Sequence, residues 1–363
     1  MPQVPRCQLR GVIVRLRCCK KRLDQKCNDK HADDPTSCLE PWTGFLAAQR
    51  PQTTAERLRR LLAQPGLHLM PCVFDGLSAR LCEQAAGFPL TFVSGFSVCA
   101  AHGLPDTGLL SFAEMAAAMR QVSGALRHTP CIGDGDTGYG NAVSCKRTVR
   151  AYAAAGMGGI MIEDQLAPKV CGHTRGKRVV GAAEAVRRVR AAVDAAAEGG
   201  GDILVVARTD ARASEGLEEA LRRCEAFRAA GADVTFLEAP RSVAEMEAYC
   251  RRVEGPKMAN LLAGGLTPQL PPHQLEQMGF KLAAFPIDLI NASIVGMREA
   301  LGGLRKHGRS PAHLTLPFDE LSRSTTTRRR STPRSRTTPT GRREARGGGG
   351  GVLALAVKAR RAR

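Results

Sequence analysis

Residues 203–210 read ILVVARTD: five apolar residues, then Arg208, Thr209 and Asp210. A run this short and this apolar is a strand buried on both faces, as in parallel sheets, with its polar residues crowded at the C-terminal end. Seven further stretches repeat the pattern: HLMPCVFD (68–75), LTFVSG (90–95), PCIGDGD (130–136), GIMIED (159–164), DVTFLEAP (233–240), KMANLL (257–262) and FKLAAFP (280–286). Amphipathic stretches of helical period separate them, among them GLSARLCEQAAG, SFAEMAAAMRQVSGALR, CKRTVRAYAAAG, AAEAVRRVRAAVDAAA and LEEALRRCEAFRAAG, and LINASIVGMREALGGLRK follows the eighth. Several stop at glycine, as helices do. Such alternation requires parallel pairing through right-handed crossovers. Eight units over about 250 residues fit a closed (β/α)8 TIM barrel better than an open doubly wound sheet.

In a barrel of this kind the chemistry gathers where the strands end. The polar residues fall there: Asp75 after the first strand, Ser94 and Gly95 after the second, Asp134 and Asp136 after the third, Glu163 and Asp164 after the fourth, Arg208 and Asp210 after the fifth, Glu238 after the sixth and Asn260 after the seventh. The expected organisation is a basic lead over 1–54, a catalytic barrel over 55–308 and a low-complexity basic tail over 309–363.

The chain has 363 residues, 43% of them hydrophobic, enough for a full core, and a formal charge of +19. That charge lies at the ends: residues 321–363 carry 13 Lys and Arg against one acid and residues 1–57 carry 11 against 6, leaving 29 against 27 between them. A near-neutral middle suits a small-molecule enzyme better than a nucleic-acid binder. The tail, RSTTTRRRSTPRSRTTPTGRREARGGGGG and onward, has too little apolar surface to order and reads as disordered. A polyanion-binding protein acting through such tails is the non-enzyme alternative. The lead, MPQVPRCQLRGVIVRLRCCKKRLDQK, is acid-free as far as Asp24 and loosely matches an organelle transit peptide. With no run of 18 apolar residues, no secretory signal and 13 scattered cysteines, the chain reads as a soluble protein with reduced thiols and no membrane partner. Cys18, Cys19, Cys27, His31 and Cys38 cluster, but without the spacing of a zinc module.

Residues 131–140, CIGDGDTGYG, set two aspartates in a glycine-rich stretch. Gly133, Gly135 and Gly138 satisfy G-x-G-x-x-G, yet two carboxylates inside a phosphate cradle would repel the anion. An EF-hand would need glycine where Tyr139 stands and glutamate where Cys145 stands. Residues i and i+2 of a strand project from one face, so Asp134 and Asp136 can address one cation. Mg²⁺ (or Mn²⁺) is the natural ion, hard and content with one or two carboxylates and several waters. Glu163 on the neighbouring strand adds further acid. A cap and turn pair is the other reading of these aspartates.

LAPKVCGHTRGKRVVG (166–181) is long for a βα connection and reads as a lid over the barrel mouth. Lys169, Cys171, His173, Arg175 and Lys177 make it basic, which would lower a thiol pKa, attract anionic substrates and let Cys171 act as acid or base near neutral pH. An incidental loop cysteine is the alternative.

SGFSVCAAHGLPDTGLLS, GDGDTGYGN, EDQ, KVCGHTRGK, ARTDARA, EAP and ANLL, in this order over roughly residues 55–305, resemble the isocitrate lyase and phosphoenolpyruvate mutase superfamily, above all its plant carboxyvinyl-carboxyphosphonate phosphorylmutase-like members. The resemblance implies a phosphoenolpyruvate/pyruvate-type (β/α)8 barrel and a homodimer or homotetramer exchanging its last helix between subunits. It also implies Mg²⁺ at the site and a chloroplast location for a plant member, otherwise a cytoplasmic one. Residue by residue, it gives Ser94, Gly95 and Phe96 to a substrate carboxylate. Asp134 and Asp136 go to the metal, with Asp75 and Glu163 in water-mediated support, and Gly172, Arg208, Glu238 and Asn260 to the pocket. Members that cleave C–C bonds carry K-x-C-G-H in the lid, as this chain does. The implied reaction is cleavage of a small di- or tricarboxylate, a 2-substituted malate or 2-methylisocitrate-like 2-hydroxy diacid, to a 2-oxoacid and a carboxylate. Arg208 would offset the enolate charge, Cys171 return the proton, and His173 bind a carboxylate or tune the thiol. P–C bond formation in a carboxyphosphonate and oxaloacetate hydrolysis are the alternatives within the family. Val170 departs from a basic residue in many bacterial lyases, Ala263 in NLLAGGLTP replaces the acid of N-M-x-E-G-G, and CAAHGLPD is one residue short.

Overall fold

The computed structural model describes residues 52–325, apart from 86, 175 and 199–201. Strands β1 His68–Val73, β2 Thr91–Val93, β3 Cys131–Asp134, β4 Gly159–Glu163, β5 Leu204–Thr209, β6 Val234–Leu237, β7 Lys257–Asn260 and β8 Leu282–Phe285 pair in parallel in chain order. β8 closes on β1 through His68–Leu282 to Pro71–Phe285, completing the (β/α)8 barrel. Each expected strand is present, a little shorter than its apolar run.

The helices are α1 Thr54–Ala63, α2 Gly76–Gln84, α3 Gly95–Ala101, α4 Phe112–Ala125, α5 Ala142–Ala154, α6 Ala182–Ala197, α7 Ala211–Ser214, α8 Leu217–Ala229, α9 Val243–Arg252, α10 Pro272–Met278, α11 Asp288–His307 and α12 Phe318–Thr325. No periodic pattern in the sequence singled out α1. It starts at a capping box formed by Thr53 and Glu56, and its Ala55 and Leu58 join the cluster that fills the barrel. Leu58 lies against Gly159, the first residue of β4, so α1 plugs the N-terminal end.

Ile132, Met161, Val206, Phe236 and Met258 belong to the interior cluster. Because strand side chains alternate, the next residue on that face arrives at the opposite mouth: Asp134, Glu163, Arg208, Glu238 and Asn260. The register that packs the core therefore also gathers the polar groups.

Order extends further than expected along the tail. A 3-10 turn, Ala312–Leu314, and α12 both lie beyond residue 309, and α12 begins a separate unit from Pro317 onward. Residues 326–363 lie outside the described residues, as does the lead 1–51 with its transit-peptide reading and its cysteine–histidine cluster. The eight described cysteines are free thiols, and no described helix is long and apolar enough to cross a membrane.

Candidate active site

The C-terminal mouth of the barrel holds a cavity of about 50 Å³ lined by Ser94, Phe96, Asp134, Glu163, Cys171, Gly172, His173, Arg208, Glu238 and Asn260. Asp106, Lys169, Val170 and Leu262 complete the part of the wall that matters for chemistry.

One side is acidic. Asp134 ends β3; its Oδ1 accepts from Asp136 N at 3.0 Å and its Oδ2 from Gly95 N at 3.1 Å. A Cβ on Gly95 would stand 2.7 Å from Asp134 Oδ2, so only glycine admits this approach. Gly95 therefore serves the aspartate with its N–H. Asp136 does not share a strand face with Asp134, as the spacing had predicted. It lies past β3 with φ 46°, and its carboxylate comes back beside Asp134 and Lys169. There Oδ2 accepts from the Tyr139 hydroxyl at 2.6 Å and Oδ1 pairs with Lys169 Nζ at 2.7 Å. The Lys169 ammonium also pairs with Asp106, a carboxylate that sequence reasoning missed although it stands inside the motif SGFSVCAAHGLPDTGLLS.

Asp75, expected beside the metal, is elsewhere. β1 runs directly into α2, and Asp75 is used as its N-cap, accepting from Ser78 N at 2.7 Å; it borders an apolar groove with Leu77 and Leu81.

The other side is organised by Arg208. Its guanidinium meets Asp210 at 2.8 Å, Glu163 at 3.3 Å and Glu238 at 3.3 Å. Buried Lys177 holds Asp210 at 3.1 Å and donates to the Gly172 carbonyl. His173 Nδ1 accepts from Leu266 N at 3.0 Å, which leaves the ring proton on Nε2, 2.9 Å from Glu238 Oε1. His173 is thus held between the β7 loop and Glu238. Asn260 Nδ2 is 3.3 Å from Glu238 Oε2.

The lid is shut. Gln165 holds it from below, donating to the Val170 carbonyl at 2.9 Å and accepting from Val170 N at 3.1 Å. A Cβ on Gly172 would collide with Arg208 Nη2 and lie 2.8 Å from Glu238, so the lid backbone rests directly on that pair.

Charge and burial set the protonation states. Burial, then the neighbouring Asp136 carboxylate, push Asp134 up to about 6. Burial also raises Glu163 well above the carboxylate range, and its Oε1 has no hydrogen-bond partner. Burial works on Glu238 in the same direction, but Arg208 and His173 outweigh it and hold that carboxyl well below its usual value. Cys171 corrects an expectation: its thiol is raised, not lowered. Burial is the main cause, Asp106 and Glu238 add to it, and the lid lysines cannot oppose it because each is already bound by carboxylates.

Six sunken carboxylates, Asp106, Asp134, Asp136, Glu163, Asp210 and Glu238, thus face three cations, Lys169, Lys177 and Arg208. Among the described residues no three ligating side chains converge on one point. Two adjacent carboxylates in a site with an excess of acid suit a hard, hydrated divalent ion rather than an all-protein cage.

The phosphoenolpyruvate phosphomutase family matches residues 58–305. The chain is 41% identical over 262 residues to "Carboxyvinyl-carboxyphosphonate phosphorylmutase, chloroplastic" of Arabidopsis thaliana, covering 71% of this chain and 76% of that protein. It is 42% identical over 252 residues to the petal death protein of Dianthus caryophyllus, covering 69% and 78%. Among solved structures, 2,3-dimethylmalate lyase superposes with a TM-score of 0.72 at 36% identity, over 76% of this chain and 92% of that one. Oxaloacetate acetylhydrolase bound to 3,3-difluorooxalacetate gives 0.71 at 33%, over 75% and 93%. Phosphonopyruvate hydrolase, solved with oxalate and Mg²⁺, gives 0.67 at 28%, over 75% and 95%.

Proposed function

Since the chain belongs to the isocitrate lyase/PEP mutase superfamily, we propose that it is a Mg²⁺-dependent carbon–carbon lyase that cleaves a 2-substituted malate to a 2-oxoacid and a carboxylate. The observation that carries this reading is Cys171, presented by a shut lid to the same small cavity as Arg208, Asp134 and the Lys169 that pairs with Asp136.

Asp134 and Asp136 would hold the divalent ion, with Asp106 and Glu163 reaching it through water. The excess of acid over base, the raised Asp134 and the orphaned Glu163 Oε1 all fit such an occupant. When bound, the ion supplies the electrophilic pull that draws charge toward the forming 2-oxoacid. The chain's own groups do the rest. Ser94 Oγ accepts from Ser97 N and keeps its proton for a substrate carboxylate, beside Phe96. Arg208, fixed by Asp210, Glu163 and Glu238, offsets the charge that develops on the departing carbon. The 2-hydroxyl loses its proton to solvent as the carbon–carbon bond breaks; Cys171, kept as a thiol by burial, breaks its S–H bond to give the departing carbon its proton, and the thiolate is reprotonated from solvent.

Phe96, Val170 and Leu262 give the pocket an apolar flank, and every described cation at the mouth already faces carboxylates. This supports a diacid with an alkyl substituent over a tricarboxylate. A homo-oligomer belongs to the same proposal. α11 leaves Val295, Met297 and Leu301 exposed beside a groove of about 850 Å³. A plastid location is proposed from the name of the Arabidopsis relative alone.

Incubation of the pure protein with 2-alkylmalates, 2-methylisocitrate and oxaloacetate, with coupled detection of the 2-oxoacid, tests the reading. Turnover of a 2-alkylmalate that stops on chelation of Mg²⁺ is expected. Failure of all 2-hydroxy acids, with oxaloacetate hydrolysed or a new C–P signal in phosphorus NMR, would contradict it.

A further inference from the structure

We propose that Tyr139 is the positioning residue of the cation site, its hydroxyl locking the rotation of the Asp136 carboxylate so that Oδ1 stays on the side of Asp134 Oδ2 and Lys169. The inference rests on the reading of Asp134 and Asp136 as the cation-binding pair. Asp136 is held unequally: Oδ2 accepts from the Tyr139 hydroxyl at 2.6 Å, whereas the buried Oδ1 stands 2.7 Å from Lys169 Nζ as an ion pair and has no hydrogen-bond partner. Lys169 belongs to the 166–181 loop, whereas Tyr139 belongs to the turn between β3 and α5, so the hydrogen bond on Asp136 comes from its own turn and does not depend on the lid.

The turn is shaped for this contact. Asp136 and Tyr139 both take left-handed backbone, φ 46° and 58°, which an aromatic side chain seldom adopts without a compensating interaction. Thr148 Oγ1 ties the turn to α5 by donating to the Gly138 carbonyl at 3.1 Å. The phenol ring leans edge-to-face on Phe112, centroids 5.9 Å apart, and the Arg147 guanidinium lies 4.2 Å from the Phe112 centroid. A second phenol acts on the partner aspartate, since the Tyr152 hydroxyl donates to the Asp134 carbonyl at 2.7 Å. Tyr152 fixes the backbone of one ligand, and Tyr139 fixes the carboxylate of the other. Hydrogen bonds that orient a ligand from behind change metal affinity by about 10- to 100-fold.

The test is Mn²⁺ binding to the full chain, read by electron paramagnetic resonance without substrate, for the wild type, Tyr139→Phe and Phe112→Leu. Tyr139→Phe keeps the ring and loses only the hydroxyl; its Mn²⁺ dissociation constant should rise about 10- to 100-fold. Its kcat should recover at saturating Mg²⁺, and its melting temperature without metal should stay near that of the wild type. Phe112→Leu should weaken Mn²⁺ in the same direction by less. Unchanged Mn²⁺ affinity in Tyr139→Phe, with or without a lowered melting temperature, would overturn the proposal and leave a packing role. Absence of Mn²⁺ binding by the wild type would overturn the cation reading itself, which the variant comparison keeps distinct.

Discussion

Replacing Asp75 or Asp106 separates a carboxylate that caps a helix from one that serves the site. Asp75→Ala should cost about 1 kcal/mol of stability in denaturant melts and leave kcat/KM intact, because the lost interaction is the cap on α2. Asp106→Asn should do the reverse, lowering kcat/KM with little loss of stability, because Lys169 then keeps only Asp136 as its anchor. Proton competition is a second residue-scale test. Asp134 sits near 6 when no cation is present, so Mn²⁺ affinity should hold at neutral pH and fall as the pH drops through 6. The Cys171 thiol is raised, so its acid form persists through neutral pH, and kcat should fall only on the alkaline side of the ordinary thiol range. Cys171→Ser should abolish that limb and lower kcat by about 10²- to 10⁴-fold. The types of these groups were legible in sequence, but their partners were not. Lys169 and Lys177 look like free charges in the string KVCGHTRGK, and only the fold reveals the carboxylates that neutralise them.

At the scale of the element, the lid and the strands differ in how they were read. Asp134, Glu163, Arg208, Glu238 and Asn260 could be placed from sequence because each stands two residues beyond a buried apolar residue of its strand, and a strand alternates strictly. Asp136 escaped that rule because the chain leaves the strand after Asp134 and turns left-handed, a conformation that the run of glycines permits but does not specify. α1 escaped because its burial comes from plugging the barrel, a long-range contact with no local pattern. The lid carries a sharper prediction. Gly172→Ala would press a methyl group into Arg208 and Glu238, so the lid could no longer close. kcat/KM should fall by about 100-fold through displacement of Cys171. Unchanged kinetics would show that the shut form is not the reactive one.

For the whole molecule, a nearly neutral barrel between strongly basic ends was evident from charge alone, and it assigns the chemistry to residues 58–305, where the family also matches. Of the 20 residues of α11, only Ile290 is fully buried, which is too little to hold an amphipathic helix in a monomer. Sedimentation should therefore show a dimer or tetramer, and Leu301→Asp should shift it toward smaller species; a monomeric wild type would refute this part of the account. The most direct test of the central claim is cleavage of 2,3-dimethylmalate in D₂O with Mg²⁺, products followed by proton NMR. The account predicts pyruvate and propionate in equal amounts, one deuterium on the methylene carbon of propionate, and loss of both products in Cys171→Ser. Products that form at the wild-type rate in Cys171→Ser, or no carbon–carbon cleavage of any 2-alkylmalate by the Mg²⁺-loaded wild type, would contradict it.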